Sequence, residues 1–327
     1  MLAYGRIHAG IVAFFCLMTA QLGYGHDSKQ QFEISAEYLW MIYAIDQPNY
    51  AIVSNTTLFP NGPRKALKQN WHSGYRVKAA YYLPNEIDRI RASWTDFNSF
   101  SAYSEARGTV VMPILVQPSF SLALTRGSLR NTFNFHYLDI LFGRPVYSYK
   151  CLQLSLEAGV QYLQLQMKEF ALYTDDFTIV RNSSKASGIG PELCFSFEGS
   201  LAKHLSIVGS LSGAFVISKT KAQAFNSIEI FLARFTSQND PYWLATPTLN
   251  ARIGLKYASS TLQFDFLRWF PFAFYIEGGY EFINVHKGVN RIYFVDGAAV
   301  SSTEAHSLNE YMDFTLHGPY VQSGIKF

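Results

Sequence analysis

From residue 32 to its end, the chain alternates apolar and polar residues, which is typical of strands with one apolar and one polar face. In the run 32–45, one face is apolar throughout, and the other begins with Glu33, Ser35 and Glu37. Apart from the amino terminus, no run reaches the about 18–20 apolar residues that a membrane-spanning helix requires. The alternation therefore predicts an all-β fold.

The composition favours a membrane setting for these strands. Charged residues make up 16% of the chain and aromatic residues another 16%, although the hydrophobic fraction is 49%. Soluble domains carry about 25% charged residues. Disorder is excluded because the apolar content is high and the formal net charge is only +3. Without a basic block, no nucleic-acid partner is expected.

The connections predict the topology. Ten strands are predicted, at 32–45, 71–82, 87–97, 131–142, 150–166, 187–197, 204–217, 246–257, 272–285 and 309–327. Long gaps, at 46–70, 98–130, 167–186, 218–245 and 286–308, alternate with shorter ones at 83–86, 143–149, 198–203 and 258–271. Outer-membrane barrels have long outer loops and short periplasmic turns. We therefore expect a transmembrane antiparallel up-and-down β-barrel of about 10–14 strands, because the long gaps leave room for another pair.

The amino terminus has the features of a secretory signal peptide. Arg6 precedes an apolar run over 9–20, and Gly23 and Gly25 are small residues placed for cleavage before His26. Cleavage after residue 20 and a retained anchor are the alternatives. We expect residues 1–25 to be removed and residues 26–327 to form one outer-membrane barrel domain.

The two cysteines that would remain after cleavage are Cys151 and Cys194. Export allows them to form a disulfide. Their predicted positions on neighbouring strands are offset, and a bridge needs close Cα atoms. The sequence leaves their pairing open.

The last strand carries a pattern that suggests recognition by the barrel-assembly machinery. Val321, Ile325 and Phe327 share one face, and the final residue is aromatic. Bacterial outer-membrane barrels end in this way, and we interpret the three residues as a sorting signal.

Charged residues on the polar faces are the candidate functional residues. Arg76, Lys78, Arg89 and Arg91 are expected to point the same way across one hairpin, as a basic ladder. Two further sets complete the ten candidates: Glu33 and Glu37 are expected to face Arg76 and Lys78, and Arg252 and Lys256 are expected to face Glu277 and Glu281. Charges of this kind set the selectivity of a water-filled pore. Alternatively, they neutralise one another and fill a narrow barrel.

The tryptophans lie near the predicted strand ends, at Trp40, Trp71, Trp94, Trp243 and Trp269. Tryptophan is enriched at membrane interfaces, where its ring contacts lipid and its N–H contacts water. We expect these side chains to form an interfacial girdle, with packing inside the barrel as the alternative.

Catalysis has little support in the sequence. Asp175, Asp176 and His306 lie in predicted outer loops, where barrel proteases place their acidic and Asp–His pairs. Acids in a polar loop are more often solvated charge. No two histidines are spaced i, i+4, so no metal site is expected. We expect a protein that is not an enzyme and needs no cofactor.

Short segments in a fixed order resemble a known family. They are 36–40, Trp71 with 74–77, 94–97, Leu138-Asp139 before Gly143-Arg144, 188–191, 279–281 and 318–327. The chain resembles the Legionella-type major outer-membrane proteins, which have chlamydial major-outer-membrane-protein-like relatives. The resemblance implies a pore-forming barrel in the outer membrane of a Gram-negative bacterium, with no catalytic residues to transfer.

Two functions remain open at this point. The first is passive diffusion of small hydrophilic solutes or ions through a porin-like lumen with charge-dependent selectivity. The second is a closed structural or adhesion barrel whose surface loops bind envelope or host partners. Outer-membrane lipid is an expected partner in both cases, and a homo-oligomer is left open.

Overall fold

The computed structural model describes residues 32–45, 49–54, 62–68, 70–83, 88–116, 124–149, 151–174, 178–229, 233–259, 273–294 and 307–327. The expected signal peptide, residues 1–25, lies outside this part of the chain, as do Asp175, Asp176, Trp269 and His306. None of the described segments forms a helix long and apolar enough to cross a membrane.

The described chain is built from antiparallel strands. Ten long ones are β1 (Phe32–Ile45), β4 (Trp71–Tyr82), β5 (Arg89–Pro113), β6 (Leu124–Tyr149), β7 (Leu152–Tyr173), β8 (Thr178–Ala202), β9 (Leu205–Ile228), β11 (Tyr242–Ala258), β12 (Ala273–Phe294) and β13 (Ser307–Lys326). Three short ones are β2 (Asn49–Ser54), β3 (Arg64–Ala66) and β10 (Ala233–Gln238). The long strands pair in chain order, and β13 returns to pair with β1. The predicted antiparallel barrel is therefore confirmed.

Ring closure leaves no free edge among the long strands. Glu37 on β1 lies opposite Arg76 of β4 on one side and opposite Gln322 of β13 on the other. Phe32 and Phe327 exchange backbone hydrogen bonds of 2.8 Å at one rim of the barrel. A closed barrel satisfies its backbone polar groups internally, as the hydrocarbon interior of a bilayer requires. The short turn at Lys203 and His204 lies at the rim of Phe32 and Phe327, and because outer-membrane barrels have their short turns on the periplasmic side, we call it the periplasmic rim.

The strands are longer than the sequence predicted. The expected loops 167–186 and 98–130 are largely paired strand, because β7 continues to Tyr173 and β8 begins at Thr178, while β5 continues to Pro113. The expected turn 143–149 also belongs to a strand, since β6 continues to Tyr149. Toward the two expected loops, the alternation persists but the apolar and polar faces exchange sides, as at Leu163 and Gln164 of β7, which concealed those two extensions.

The outer face carries a band of exposed apolar side chains all around the barrel. Its members include Val77, Ile140, Val160, Leu193, Leu211, Ile253, Ile276 and Val321. Trp40, Trp71 and Trp243 are exposed on this surface, and the rings of Trp40 and Trp71 lie 4.9 Å apart. Trp94 is half-buried against the ring of His136. The three exposed tryptophans thus lie on the outside of the wall, as an interfacial girdle requires.

Away from the periplasmic rim, the barrel is filled by an apolar core. Its buried members include Leu39, Met41, Phe97, Phe133, Phe135, Leu163, Leu165, Phe314 and Leu316. The ring of Phe133 lies 4.5 Å from that of Tyr43 and 5.4 Å from that of Phe314. These rings come from β1, β6 and β13, so the inward faces of several strands meet in one cluster.

Candidate functional site: the charged barrel interior

The candidate residues lie inside the barrel, in the half nearest the periplasmic rim. Along β1, the inward positions change from Glu33, Ser35 and Glu37 to Leu39 and Met41. The inward side chains of β5, β7 and β12 change in the same way. The polar half therefore lies directly below the apolar core.

Glu37 is the centre of a buried ion-pair network. Its carboxylate lies 3.2 Å from Arg76 Nη1, 2.8 Å from Lys78 Nζ and 2.7 Å from Arg252 Nη1. The Glu37 side chain is fully buried, so these three cations replace its water. The expected pairing of Glu37 with Arg76 and Lys78 is present in the structure.

Arg76 extends the network across the lumen. Its guanidinium donates two hydrogen bonds to Glu281 on β12, of 2.9 and 2.8 Å, and its Nε donates to Thr95 Oγ1 at 2.6 Å. Two-point contacts of this kind fix geometry as well as charge. Because β1 and β13 lie between β4 and β12, this contact braces the inside of the wall.

One predicted facing pair is wrong, whereas the register of β11 and β12 confirms that Lys256 faces Glu277. Glu33 lies opposite Ala80 and accepts hydrogen bonds from the hydroxyls of Tyr82 and Tyr275, at 2.7 and 2.8 Å, rather than facing Arg76. Lys256 reaches Glu198 of β8 at 3.0 Å, although Glu277 is its register partner. Long side chains inside a narrow barrel cross to other strands, and register alone does not fix their partners.

Arg252 pairs with Glu277 as expected, with Nη2 to Oε1 at 2.6 Å. The same guanidinium donates to Gln322 at 2.7 Å and lies 3.6 Å above the Tyr320 ring. Gln322 and Tyr320 were not among the predicted residues. Both lie inward on the last strand, on the face opposite Val321 and Ile325 of the predicted sorting signal.

Three carboxylates were also missed. Glu157 of β7 accepts from Arg89 Nε at 2.8 Å and pairs with Arg91 Nη2 at 2.9 Å. Asp139 accepts from Ser93 Oγ at 2.7 Å, and Glu192 accepts from the hydroxyl of Tyr137 at 3.1 Å. Each acid lies on the polar face of a predicted strand, so the alternation of inward and outward positions was the signal that could have identified them.

A cavity of about 510 Å³ lies in the periplasmic half, and we call it the inner cavity. Its wall includes the cations Lys78, Arg89, Arg91, Arg252, Lys256 and Lys326 and the carboxylates Glu33, Glu198 and Glu277. Glu37 and Glu157 lie behind this wall, each bound to cations that face the cavity. The lining of the inner cavity therefore carries more cations than carboxylates.

A second cavity, of about 40 Å³, lies next to the inner cavity. The two share Lys78, Arg91 and Arg252 as lining residues, and only the smaller one is lined by Arg76 and Glu281. Polar space thus continues from the inner cavity into the ion-pair network. Three of the four predicted ladder residues line the inner cavity, and Arg76 lies deeper.

The outer mouth is crossed by β12. A bulge interrupts its pairing between Val285 and Val289, and Lys287 within it adopts a left-handed conformation with φ of 54°. Beyond the bulge, the backbone N–H of Asn290 donates to Ser184 Oγ on β8 at 2.9 Å. Arg291 Nη2 pairs with the buried Glu169 of β7 at 2.6 Å. The end of β12 therefore leans over the apolar core toward the opposite wall.

Cys151 and Cys194, the cysteines of the described segments, are separate free thiols. Cys151 is exposed, whereas Cys194 is buried beside Arg91, whose Nη2 lies 3.9 Å from the sulfur. Across the described segments, no group of three or more His, Cys, Asp or Glu side chains is arranged to hold a metal ion.

Comparison with known proteins identifies one family. The family described as Legionella pneumophila major outer membrane protein precursor matches residues 26–327, nearly the whole chain. No curated protein matches the sequence.

The outer membrane protease OmpT of Escherichia coli is similar in fold, with a TM-score of 0.50 and 9% identity over 93% of this chain and 99% of that one. At this identity the likeness concerns the fold alone. A major outer membrane protein from Thermus thermophilus matches with a TM-score of 0.35 and 14% identity, over 70% of this chain and 99% of that one. The toluene transporter TodX of Pseudomonas putida matches with a TM-score of 0.38 and 9% identity, over 92% and 91%.

Proposed function

The chain belongs to the Legionella major outer membrane protein family of the bacterial outer membrane, and we propose that it is a pore for small hydrophilic solutes or ions. Transport is passive and follows the solute gradient. The inner cavity is the observation that carries this proposal. Space of this size lined by charged side chains is suited to water and solutes rather than to packing.

The size of the inner cavity supports the proposal. Protein interiors are close-packed, and voids much larger than one water molecule are few. At about 30 Å³ for each water molecule, 510 Å³ has room for roughly seventeen. The periplasmic half of the lumen therefore holds a hydrated compartment.

The charges on the wall determine which solutes enter. Six cations and three carboxylates line the inner cavity, so small anions are favoured over cations. Lys78, Arg89 and Arg91 are the predicted pore-lining residues that act here, together with Arg252 and Lys256. Size exclusion and this potential are the whole mechanism, and no bond is made or broken.

The described conformation is the closed state under this proposal. The apolar core and the end of β12 occupy the outer half, where Phe133 packs against Phe314 and Arg291 holds Glu169. A conducting path requires these groups to move aside. The left-handed Lys287 at the bulge marks where β12 would bend.

The same apolar core favours a second candidate. A barrel whose outer half is permanently filled is a closed structural or adhesion protein, and its surface loops would bind envelope or host partners. Its interior ion pairs would then only stabilise the wall. Truncating the loops would abolish such binding while leaving the barrel assembled.

Reconstitution of the mature chain in a planar bilayer separates the two. Discrete conductance steps with a reversal potential of the anion-selective sign are expected for the pore. Folding is verified by β-sheet circular dichroism and heat-dependent gel migration. A folded barrel that gives no conductance steps and no liposome swelling would favour the closed structural or adhesion barrel.

We also propose that residues 1–25 are removed on export and that the last strand directs assembly. Val321 and Ile325 are exposed on the lipid-facing surface, and Phe327 stacks on Phe32 with 6.1 Å between ring centroids. Deleting Phe327 is expected to reduce the amount of assembled barrel in cells. Mass spectrometry of the exported chain would locate the cleavage site, expected before His26.

A further inference from the structure

Four exposed lysines lie together on the outside of the barrel. They are Lys168 on β7, Lys185 on β8, and Lys219 and Lys221 on β9, and we call them the basic patch. Lys185 lies directly opposite Lys221 in the antiparallel pairing of β8 and β9. Lys168 lies opposite Ser183, one diagonal step from Lys185. Three adjacent strands thus present their ammonium groups to one area of the outer surface.

No carboxylate of the described chain lies within 4.0 Å of any of these four ammonium groups. The arrangement of Lys185 and Lys221 is unfavourable by itself, since like charges directly opposite on neighbouring strands repel. Inside the barrel, by contrast, Arg76, Arg91 and Arg252 each have a carboxylate partner. The basic patch therefore has a charge that the described protein does not neutralise.

The position of the basic patch relative to the membrane is defined by its neighbours. One step toward the periplasmic rim, Ile189 and Ile217 pair with each other and are 59% and 51% exposed. Lys219 lies opposite Trp243, which is 69% exposed. Tryptophan is enriched where the acyl region meets the headgroups. The lysines therefore begin where the apolar band ends, on the side away from the periplasmic rim.

The four lysines of the basic patch lie on three adjacent strands, β7 to β9, and therefore on one side of the barrel. On β12 and β13, the outward His286 and Asp313 form a pair of 2.8 Å, so that region has its own carboxylate. A ring of lysines around the whole circumference would be expected if it only marked the polar edge of the membrane band. A one-sided patch points to a localised ligand.

We propose that the basic patch binds the phosphates of a phosphorylated lipid headgroup in the outer leaflet. The continuity of the patch with Ile189 and Ile217 supports a lipid, because the acyl chains of the same molecule would lie along the apolar band. Facing Cβ atoms in such a sheet are about 5 Å apart. Several ammonium groups at this spacing suit a headgroup with more than one phosphate. This site is on the outer wall and does not depend on whether the lumen conducts.

The test uses the folded barrel in zwitterionic detergent. The patch variant carries Lys185→Gln, Lys219→Gln and Lys221→Gln. The control variant carries Lys65→Gln, Lys68→Gln and Lys203→Gln, which removes the same charge from exposed lysines elsewhere. The probes are an acylated glucosamine disaccharide with two phosphates, its dephosphorylated form and inorganic phosphate. Native mass spectrometry reports the bound fraction.

The diphosphorylated lipid is expected to bind the patch variant at least about tenfold more weakly than the parent, with the control variant within about twofold. Equal binding by the patch variant would overturn the proposal, and so would equal binding of the dephosphorylated lipid. If inorganic phosphate competes at concentrations similar to that of the lipid, the site binds free phosphate, and the proposal of a lipid ligand is overturned.

A second measurement guards against a folding defect. Without lipid, Lys221→Gln is expected to unfold at the same temperature as the parent or higher, because the repulsion with Lys185 is removed. With the diphosphorylated lipid, the parent is expected to gain more thermal stability than Lys221→Gln. An equal gain in both proteins contradicts the proposal.

Discussion

Arg76 and Glu281 are 205 residues apart in sequence and form a two-point ion pair inside the barrel, with N–O distances of 2.8 and 2.9 Å. The same guanidinium contacts Glu37, so one cation joins β4, β1 and β12. The carboxylates of Glu37 and Glu281 are fully buried, so water could not replace the Arg76 guanidinium as their partner. Removing Arg76 would leave two buried carboxylates short of a partner.

We therefore expect Arg76→Met to lower the free energy of unfolding by about 3–5 kcal/mol. Arg107→Met is the control, since Arg107 is exposed and pairs at 2.8 Å with Glu105, which keeps Arg126 as a second partner. Such exposed pairs contribute about 1 kcal/mol or less. Urea unfolding in lipid vesicles, followed by circular dichroism, measures both. Equal losses in the two variants would show that the Arg76 network does not brace the wall.

Charge reversal in the inner cavity is expected to change selectivity without unfolding the barrel. Lys326 is the best position, because its Nζ lies over the Tyr82 ring at 3.9 Å and no carboxylate of the described chain pairs with it. Lys256→Glu with Lys326→Glu is expected to shift the permeability ratio toward cations by at least about twofold. Lys203→Glu, in an exposed turn of the same rim, is the control. An unchanged reversal potential would mean that ions do not pass through the inner cavity.

The apolar core is expected to be the barrier to conduction. Phe133→Ala with Phe314→Ala removes two facing rings and should raise open probability or conductance in a planar bilayer. It should also lower stability, because each such truncation costs about 3–5 kcal/mol. Phe215→Ala is the control on the lipid-facing surface, where the side chain is exposed. A folded double variant without added conductance would favour the closed structural barrel.

Cys194 is a natural probe of the polar path. It is buried and lines the smaller cavity beside Arg91, whereas Cys151 is exposed. In a Cys151→Ser background, small anionic thiol reagents are expected to label Cys194 faster than cationic ones of equal size, because Arg91 attracts them. Mass spectrometry over time measures both rates. Equal rates for the two charges would contradict a cationic route to this depth.

The alternation of residues predicted all ten long strands and the inward direction of the candidate charges. It did so because a lipid-facing wall with a polar lumen gives every strand the same simple pattern. The strand extensions were missed where that pattern reverses. On β7, Leu163 and Leu165 point inward while Gln164 and Lys168 point outward, so the apolar face has moved to the other parity.

The ion-pair partners could be predicted only in part. Glu37 faces Arg76 in direct register, and the sequence identified that pair. Arg89 and Arg91 instead reach Glu157, which lies two strands away on β7. Such contacts depend on the diameter of the closed ring and on side-chain length. Neither quantity is present in an alternation pattern.

The reversal of faces along β7 also determines how deeply the protein sits in the bilayer. Outward side chains before residue 163, such as Val160, suit hydrocarbon, and the next three, Gln164, Gln166 and Lys168, suit water. Moving the barrel toward the periplasm would place lysines in hydrocarbon. The free-energy cost is about 2–4 kcal/mol for each lysine near the midplane. Sliding the barrel outward would expose Val160 and its neighbours to water. The outward side chains therefore fix the depth at which the barrel inserts. A membrane much thicker or thinner than the apolar band would have to deform around the barrel.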